Sequence, residues 1–110
     1  MSSNDQTEAV SFGLILHSGN ARSHGMEAIA AAKNGDLETA KQCIEMGKKE
    51  LLNAQKVHAN MIQNEASGNK TELSLLLMHG EDHFMMGQLT IDLANELIEV
   101  YQKFESGVEK

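Results

Sequence analysis

The chain has 110 residues, enough for one small domain that buries about 65% of its unfolded surface, so a large core is not available inside one copy. Nine Lys and Arg against sixteen Asp and Glu leave a net charge of −7, which disfavours nucleic acid and anionic membrane as partners. The single cysteine, Cys43, cannot form an internal disulfide and fits a reducing cytoplasm as a buried hydrophobe, and no run approaches the roughly eighteen apolar residues of a membrane span.

The opening residues MSSNDQTEAV lack the basic and apolar regions of a secretory signal. Residues 1–6 and 106–110 read as flexible ends of a single domain spanning 1–110. The first ordered segment, about Thr7 to Lys33, joins an apolar stretch (Val10, Phe12, Leu14, Ile15, Leu16) to a small-residue stretch (Ser18, Gly19, Ala21, Ser23, Gly25). This pattern predicts a long helix whose middle lies in tight contact with another element. Proline is absent and turn signals occur in two places, Asn34-Gly35-Asp36 and Ser67 to Thr71. At the first, Gly35 suits the left-handed position that closes a helix, and Asp36 suits the N-cap of the next.

The second segment, 37–65, carries Leu37, Ala40, Ile44, Gly47, Leu51, Ala54, His58 and Met61 at an unbroken 3-4 spacing, the seam of a helical bundle. Thr71 followed by Glu72 reads as the start of a third helix over 72–104. Its polar residues Glu81, Gln88, Asp92, Asn95 and Glu99 share a narrow stripe, and nearly everything else is apolar. One helix of a three-helix monomer buries a stripe of a hundred degrees or somewhat more. The surplus apolar arc here predicts an oligomer whose interface runs along the third helix. Strand signals are absent, so the fold class is all-α, an antiparallel three-helix bundle. The aromatic residues Phe12, Phe84, Tyr101 and Phe104 read as packing.

Within the third helix, His79-Gly80-Glu81-Asp82-His83 interrupts the apolar pattern. Residues three and four apart share a helix face, so His79, Asp82 and His83 project together, in line with Leu75, Leu76, Met86, Leu93 and Leu97. Three readings fit. The histidines could be satisfied core residues with Asp82 as a hydrogen-bonded carboxylate. The cluster could bind metal; three copies meeting on an axis would bring three Asp82 carboxylates together, a setting for a hard cation such as Mg²⁺. Or one histidine could be a nucleophile, since neutral imidazole accepts a phosphoryl group on one nitrogen while the other is held by a hydrogen bond. No glycine-rich nucleotide loop, Ser/His/Asp arrangement or Cys paired with His is present, which suits a relay of phosphoryl groups better than their extraction from ATP. The competing class is a non-catalytic, metal-stabilised helical adaptor.

The run Leu77-Met78-His79-Gly80-Glu81-Asp82-His83-Phe84-Met85, with Gly13-Leu14-Ile15 and Ser18-Gly19-Asn20-Ala21-Arg22-Ser23 upstream and Asn64-Glu65-Ala66-Ser67-Gly68 before the third helix, resembles the lactose/cellobiose family of enzyme IIA proteins of the bacterial sugar phosphotransferase system. The resemblance covers about residues 8 to 104. It implies a cytoplasmic homotrimer in which His79 takes a phosphoryl group from phospho-HPr and passes it to the IIB component of a disaccharide permease. It further implies that Asp82 of all three chains holds one divalent metal, Mg²⁺ by donor type, per trimer, with no direct membrane insertion. His83 is expected to support the site by bonding His79 or the phosphoryl group, the alternative being that it fills the interface. The chain departs from the family in having Glu81 where Gln is usual and Phe84 where Leu is usual. In the second helix, Gln55 and His58 stand in the reverse order from the family's His and Gln. Glu81 is expected to point toward the polar stripe, His58 to be a core or interface histidine, and Arg22 to contact phosphate, a neighbouring chain or a structural ion-pair partner.

Overall fold

The computed structural model describes the backbone of residues 3–108 and the side chains of 6–105. It contains three α-helices, α1 (Ser3–Lys33), α2 (Leu37–Ala66) and α3 (Leu75–Val108), with no strand among the described residues. They form a rod of 62 × 21 × 19 Å, each helix running nearly its full length. The expected loose ends at 1–2 and 109–110 lie outside the described residues. Helix extends beyond the expected limits of 7 and 104, to Ser3 and Val108.

Turn chemistry sets the first reversal as the residues dictate. Gly35 takes φ +79°, its N–H donates to the Ala32 carbonyl at 3.0 Å, and the Asp36 side chain accepts from the Thr39 N–H at 3.1 Å. At the second, Gly68 takes φ +95° and the Asn69 N–H reaches back to the Asn64 carbonyl at 2.8 Å. The third helix does not start at Thr71. Residues 69–74 are non-helical, and the Ser74 hydroxyl accepts from the Leu77 N–H at 3.0 Å, so Ser74 supplies the cap that Thr71-Glu72 was expected to supply.

Every seam position of α2 read from the 3-4 spacing is buried or half-buried. The small-residue middle of α1 packs on α3, whose glycines let the backbones close. A Cβ at Gly80 would lie 3.1 Å from the Ser11 carbonyl oxygen, and one at Gly87 2.9 Å from that of Ser18. Two core clusters result. Ala28, Ala32, Ala40, Cys43, Ile44, Ala94 and Ile98 fill the end near the first turn, and Leu14, Ala54, Leu77 and Phe84 fill the opposite end. Cys43 is buried there, and desolvation raises its thiol pKa, keeping it a neutral hydrophobe.

The third helix is apolar on two faces. Leu77, Gly80, Phe84, Gly87, Ile91, Ala94 and Ile98 face inward, whereas Leu75, Met86, Leu89, Leu93, Val100 and Phe104 stay at least half exposed. The surplus apolar arc read from the sequence is therefore present as an uncovered strip. Phe12 and Phe104, expected to pack, are exposed at 58% and 71%; of the aromatic residues only Phe84 is fully buried.

Candidate functional site

The cluster on α3 lies on the outward strip, not in the seam between helices. Ser74 caps the first turn, and His79 and His83 project one turn apart near that end of the rod. Their rings meet edge to face with centroids 4.3 Å apart. Nδ1 of His83 lies 3.2 Å from the backbone carbonyl oxygen of His79. A carbonyl only accepts, so Nδ1 of His83 is the donor in this contact. His79 is exposed, and its ring has no hydrogen-bond partner among the described residues of its own chain.

Asp82 is exposed beside them, in line with the apolar strip, and makes no ion pair or hydrogen bond among the described residues. No three His, Cys, Asp or Glu side chains among the described residues of one chain converge to hold a metal ion. One copy thus offers a cation a single carboxylate. The donor type suits a hard, oxygen-seeking ion.

Glu81 is not on the solvent stripe where it was expected. It is half-buried against α2, with both carboxylate oxygens 2.9 Å from Nδ1 of His58. The His58 ring in turn stacks on Phe84, centroids 5.0 Å apart and planes 30° from parallel. Glu81, His58 and Phe84, three positions singled out in the sequence, therefore touch one another. His58, a core or interface histidine by sequence, has a polar partner. Arg22 is exposed and forms no ion pair among the described residues.

Sequence reasoning missed one polar network. Glu50 on α2 bridges His17, at 3.0 Å, and the Asn20 amide, at 3.2 Å, on α1. The hydrogen bond from His17 holds the Glu50 carboxyl below its usual pKa. The i, i+3 spacing of His17 and Asn20 was the only local signal for it. Beside the Glu81 pair, Met61, Ile62, Leu73, Leu77 and Met78 line an open cavity of about 250 Å³ with Glu81 and Asp82 at its rim. No helix among the described residues is long and apolar enough to cross a membrane.

Residues 9–102 match the family model of the lactose/cellobiose-specific IIA subunit of the PTS system. The lichenan-specific phosphotransferase enzyme IIA component of Bacillus subtilis is 47% identical over 100 residues, covering 91% of both chains. Among solved structures, the cellobiose-specific enzyme IIA of Bacillus anthracis superposes with a TM-score of 0.90 at 40% identity, covering 96% of this chain and 94% of that one. The IIA(chitobiose) chain from a complex with HPr of the Escherichia coli phosphotransferase system gives 0.77 at 36% identity, covering 90% and 96%. With nearly the whole rod accounted for in sequence and shape, the chain belongs to the lactose/cellobiose family of phosphotransferase-system IIA subunits.

Proposed function

We propose that this chain is a cytoplasmic phosphoryl carrier in which neutral His79 accepts a phosphoryl group from phospho-HPr and passes it to the IIB component of a disaccharide permease. The observation that carries the reading is an exposed imidazole with no hydrogen-bond partner among the described residues, set on a capped helix within a family whose members serve this system. A IIA relative solved in complex with HPr supports the donor. In the transfer, an N–P bond to His79 forms as the bond from phosphorus to HPr breaks, and transfer to IIB runs the same exchange outward. Such transfers leave the protein mainly positioning and charge stabilisation to supply. His83, held by its Nδ1 contact to the His79 carbonyl and edge to face with the His79 ring, is the supporting residue in this reading.

The working unit in this reading is a homotrimer built along the uncovered strip of α3. Three Asp82 carboxylates then hold one divalent cation, Mg²⁺ by donor type, which neutralises their mutual repulsion and keeps negative charge away from a phosphohistidine carrying up to about two negative charges. Incubation with phosphoenolpyruvate, enzyme I and HPr is expected to add one acid-labile phosphate per chain by intact-mass spectrometry, with His79→Ala unlabelled. A wild-type chain that gains no phosphate, or labelling that survives His79→Ala, would overturn the assignment.

A further inference from the structure

Asparagine followed by glycine occurs once in the chain, at Asn34-Gly35. Every other asparagine precedes Asp, Ala, Met, Glu or Lys, whose side chains hinder attack by their own backbone nitrogen on the amide before them. Glycine has no side chain to do so. The fold holds the pair where α1 ends, just past Lys33, with both residues exposed. The Asn34 side-chain amide makes no hydrogen bond among the described residues, so it is free to turn toward the Gly35 nitrogen. Only main-chain bonds tie the segment. The Asn34 N–H is shared between the carbonyls of Ala30 at 3.2 Å and Ala31 at 3.1 Å, and the Gly35 N–H donates to Ala32 at 3.0 Å. Fraying helix ends open at a free-energy cost near zero, so the bond to Ala32 releases the Gly35 nitrogen without disturbing the core beneath.

We propose that Asn34 is a site of spontaneous deamidation whose products weaken the reversal between α1 and α2. The Gly35 nitrogen gives up its proton to solvent and bonds to Cγ of Asn34, and the amide nitrogen leaves as ammonia, closing a succinimide ring. Water then opens the ring in one of two places. Cleavage between the nitrogen and Cγ restores the ordinary chain with an aspartate at 34. Cleavage between the nitrogen and the main-chain carbonyl carbon routes the chain through Cγ as isoaspartate. Both products are acids at a place that disfavours them. The free carbonyls ending a helix repel anions, Oε1 of Glu105 would stand 3.1 Å from a Cβ on Gly35, and Asp36 follows with its own carboxylate. Isoaspartate does more, because its extra main-chain atom moves Gly35 out of the turn it makes at φ +79°. That breaks the register of the Gly35 bond to Ala32 and of the Asp36 N–H to the Ala31 carbonyl, at 2.9 Å, which seat Asp36 to accept from the Thr39 N–H and cap α2. The His79 cluster lies at the opposite end of the rod, so this chemistry is independent of the proposed phosphoryl transfer.

Ageing the full chain at physiological temperature in mildly alkaline buffer tests this. Intact mass should rise by a single exchange of amide for acid. Trypsin, cutting after Lys33 and Lys41, should place the change in the peptide 34–41, which holds no other asparagine and no glutamine. Isoaspartyl methyltransferase should transfer a methyl group from S-adenosylmethionine to the aged chain and not to the fresh one. The unmodified peptide should disappear faster than any other asparagine-bearing peptide, and more slowly in mildly acidic buffer, where the attacking nitrogen keeps its proton. Aged protein should melt below fresh protein by circular dichroism. An Asn34→Gln chain aged alongside, whose longer side chain closes a less favourable ring, should keep both its mass and its melting point. No mass gain in 34–41, an equal gain in the other asparagine-bearing peptides, or a gain that persists in Asn34→Gln would overturn the site. Aged wild type that carries the modification and melts with the fresh protein would overturn its effect on the reversal.

Discussion

Two side chains in the α1–α3 seam show how little room the bundle leaves. The Ser18 hydroxyl is buried without a hydrogen-bond partner, unlike that of Ser11, which donates to the Thr7 carbonyl at 2.7 Å. An unpaired buried hydroxyl costs about 1 kcal/mol or more, so Ser18→Ala should raise the thermal midpoint measured by circular dichroism. Gly87→Ala should lower it. Alanine has the higher helix propensity by about 1 kcal/mol, but the added Cβ would stand 2.9 Å from the Ser18 carbonyl oxygen, and backbone cannot swing aside as a side-chain tip can. Overpacking of this kind costs about 1–3 kcal/mol, which outweighs the propensity gain. A Gly87→Ala protein melting above wild type would mean that α1 and α3 separate more easily than the seam implies.

Between elements, the polar tie from α1 to α2 has a pH signature. Glu50 is held below its ordinary pKa first by the hydrogen bond from His17 and then by that from Asn20, against a smaller opposing effect of burial between them. A carboxyl lower in the folded state than in the unfolded one contributes stability that is complete above its unfolded value, about 4.3 for glutamate, and is lost as pH falls through the depressed folded value. Wild type should therefore lose thermal stability more steeply than Glu50→Gln as pH drops below about 4.3; parallel curves would show the tie to be energetically idle. Much of the element level was legible in the sequence. The α2 seam and the Gly35-Asp36 reversal follow from spacing and local chemistry, which act within a few residues. The start of α3 was misplaced because Thr71 and Ser74 are both plausible caps and the intervening Leu73 has no helical partner to arbitrate. Which face of α3 turns inward was harder, since both are apolar; the evidence lay in Gly80 and Gly87, seven apart and matched to Ser11 and Ser18 on α1. The His58–Glu81 clamp was out of reach, because residues 23 apart meet only through the register of an antiparallel pair that no local rule sets.

At the scale of the whole molecule, a thin rod with an exposed row of Leu89, Leu93, Val100 and Phe104 cannot bury its apolar surface alone. Burying each such side chain against another copy is worth about 2 kcal/mol, so a charge in the row should disperse the assembly, and Leu93→Asp is expected to sediment as a monomer. Asp82 stands in the same line with the opposite chemistry. Three carboxylates meeting there would repel by about 4 kcal/mol per pair at 4 Å in an intermediate dielectric, a sum comparable with the stability of a small domain. A bound cation cancels that repulsion, and so does removing the charge. On the proposed trimer, chelation should therefore loosen the wild-type assembly in analytical ultracentrifugation, whereas Asp82→Leu, with three leucines extending the apolar row, should stay trimeric with or without chelator. His79 keeps its place on α3 in that variant, so one phosphate per chain should still be gained. A wild-type trimer indifferent to chelation would place the Asp82 carboxylates away from any shared ion, and loss of labelling in Asp82→Leu would make the carboxylate part of the transfer chemistry instead of the assembly.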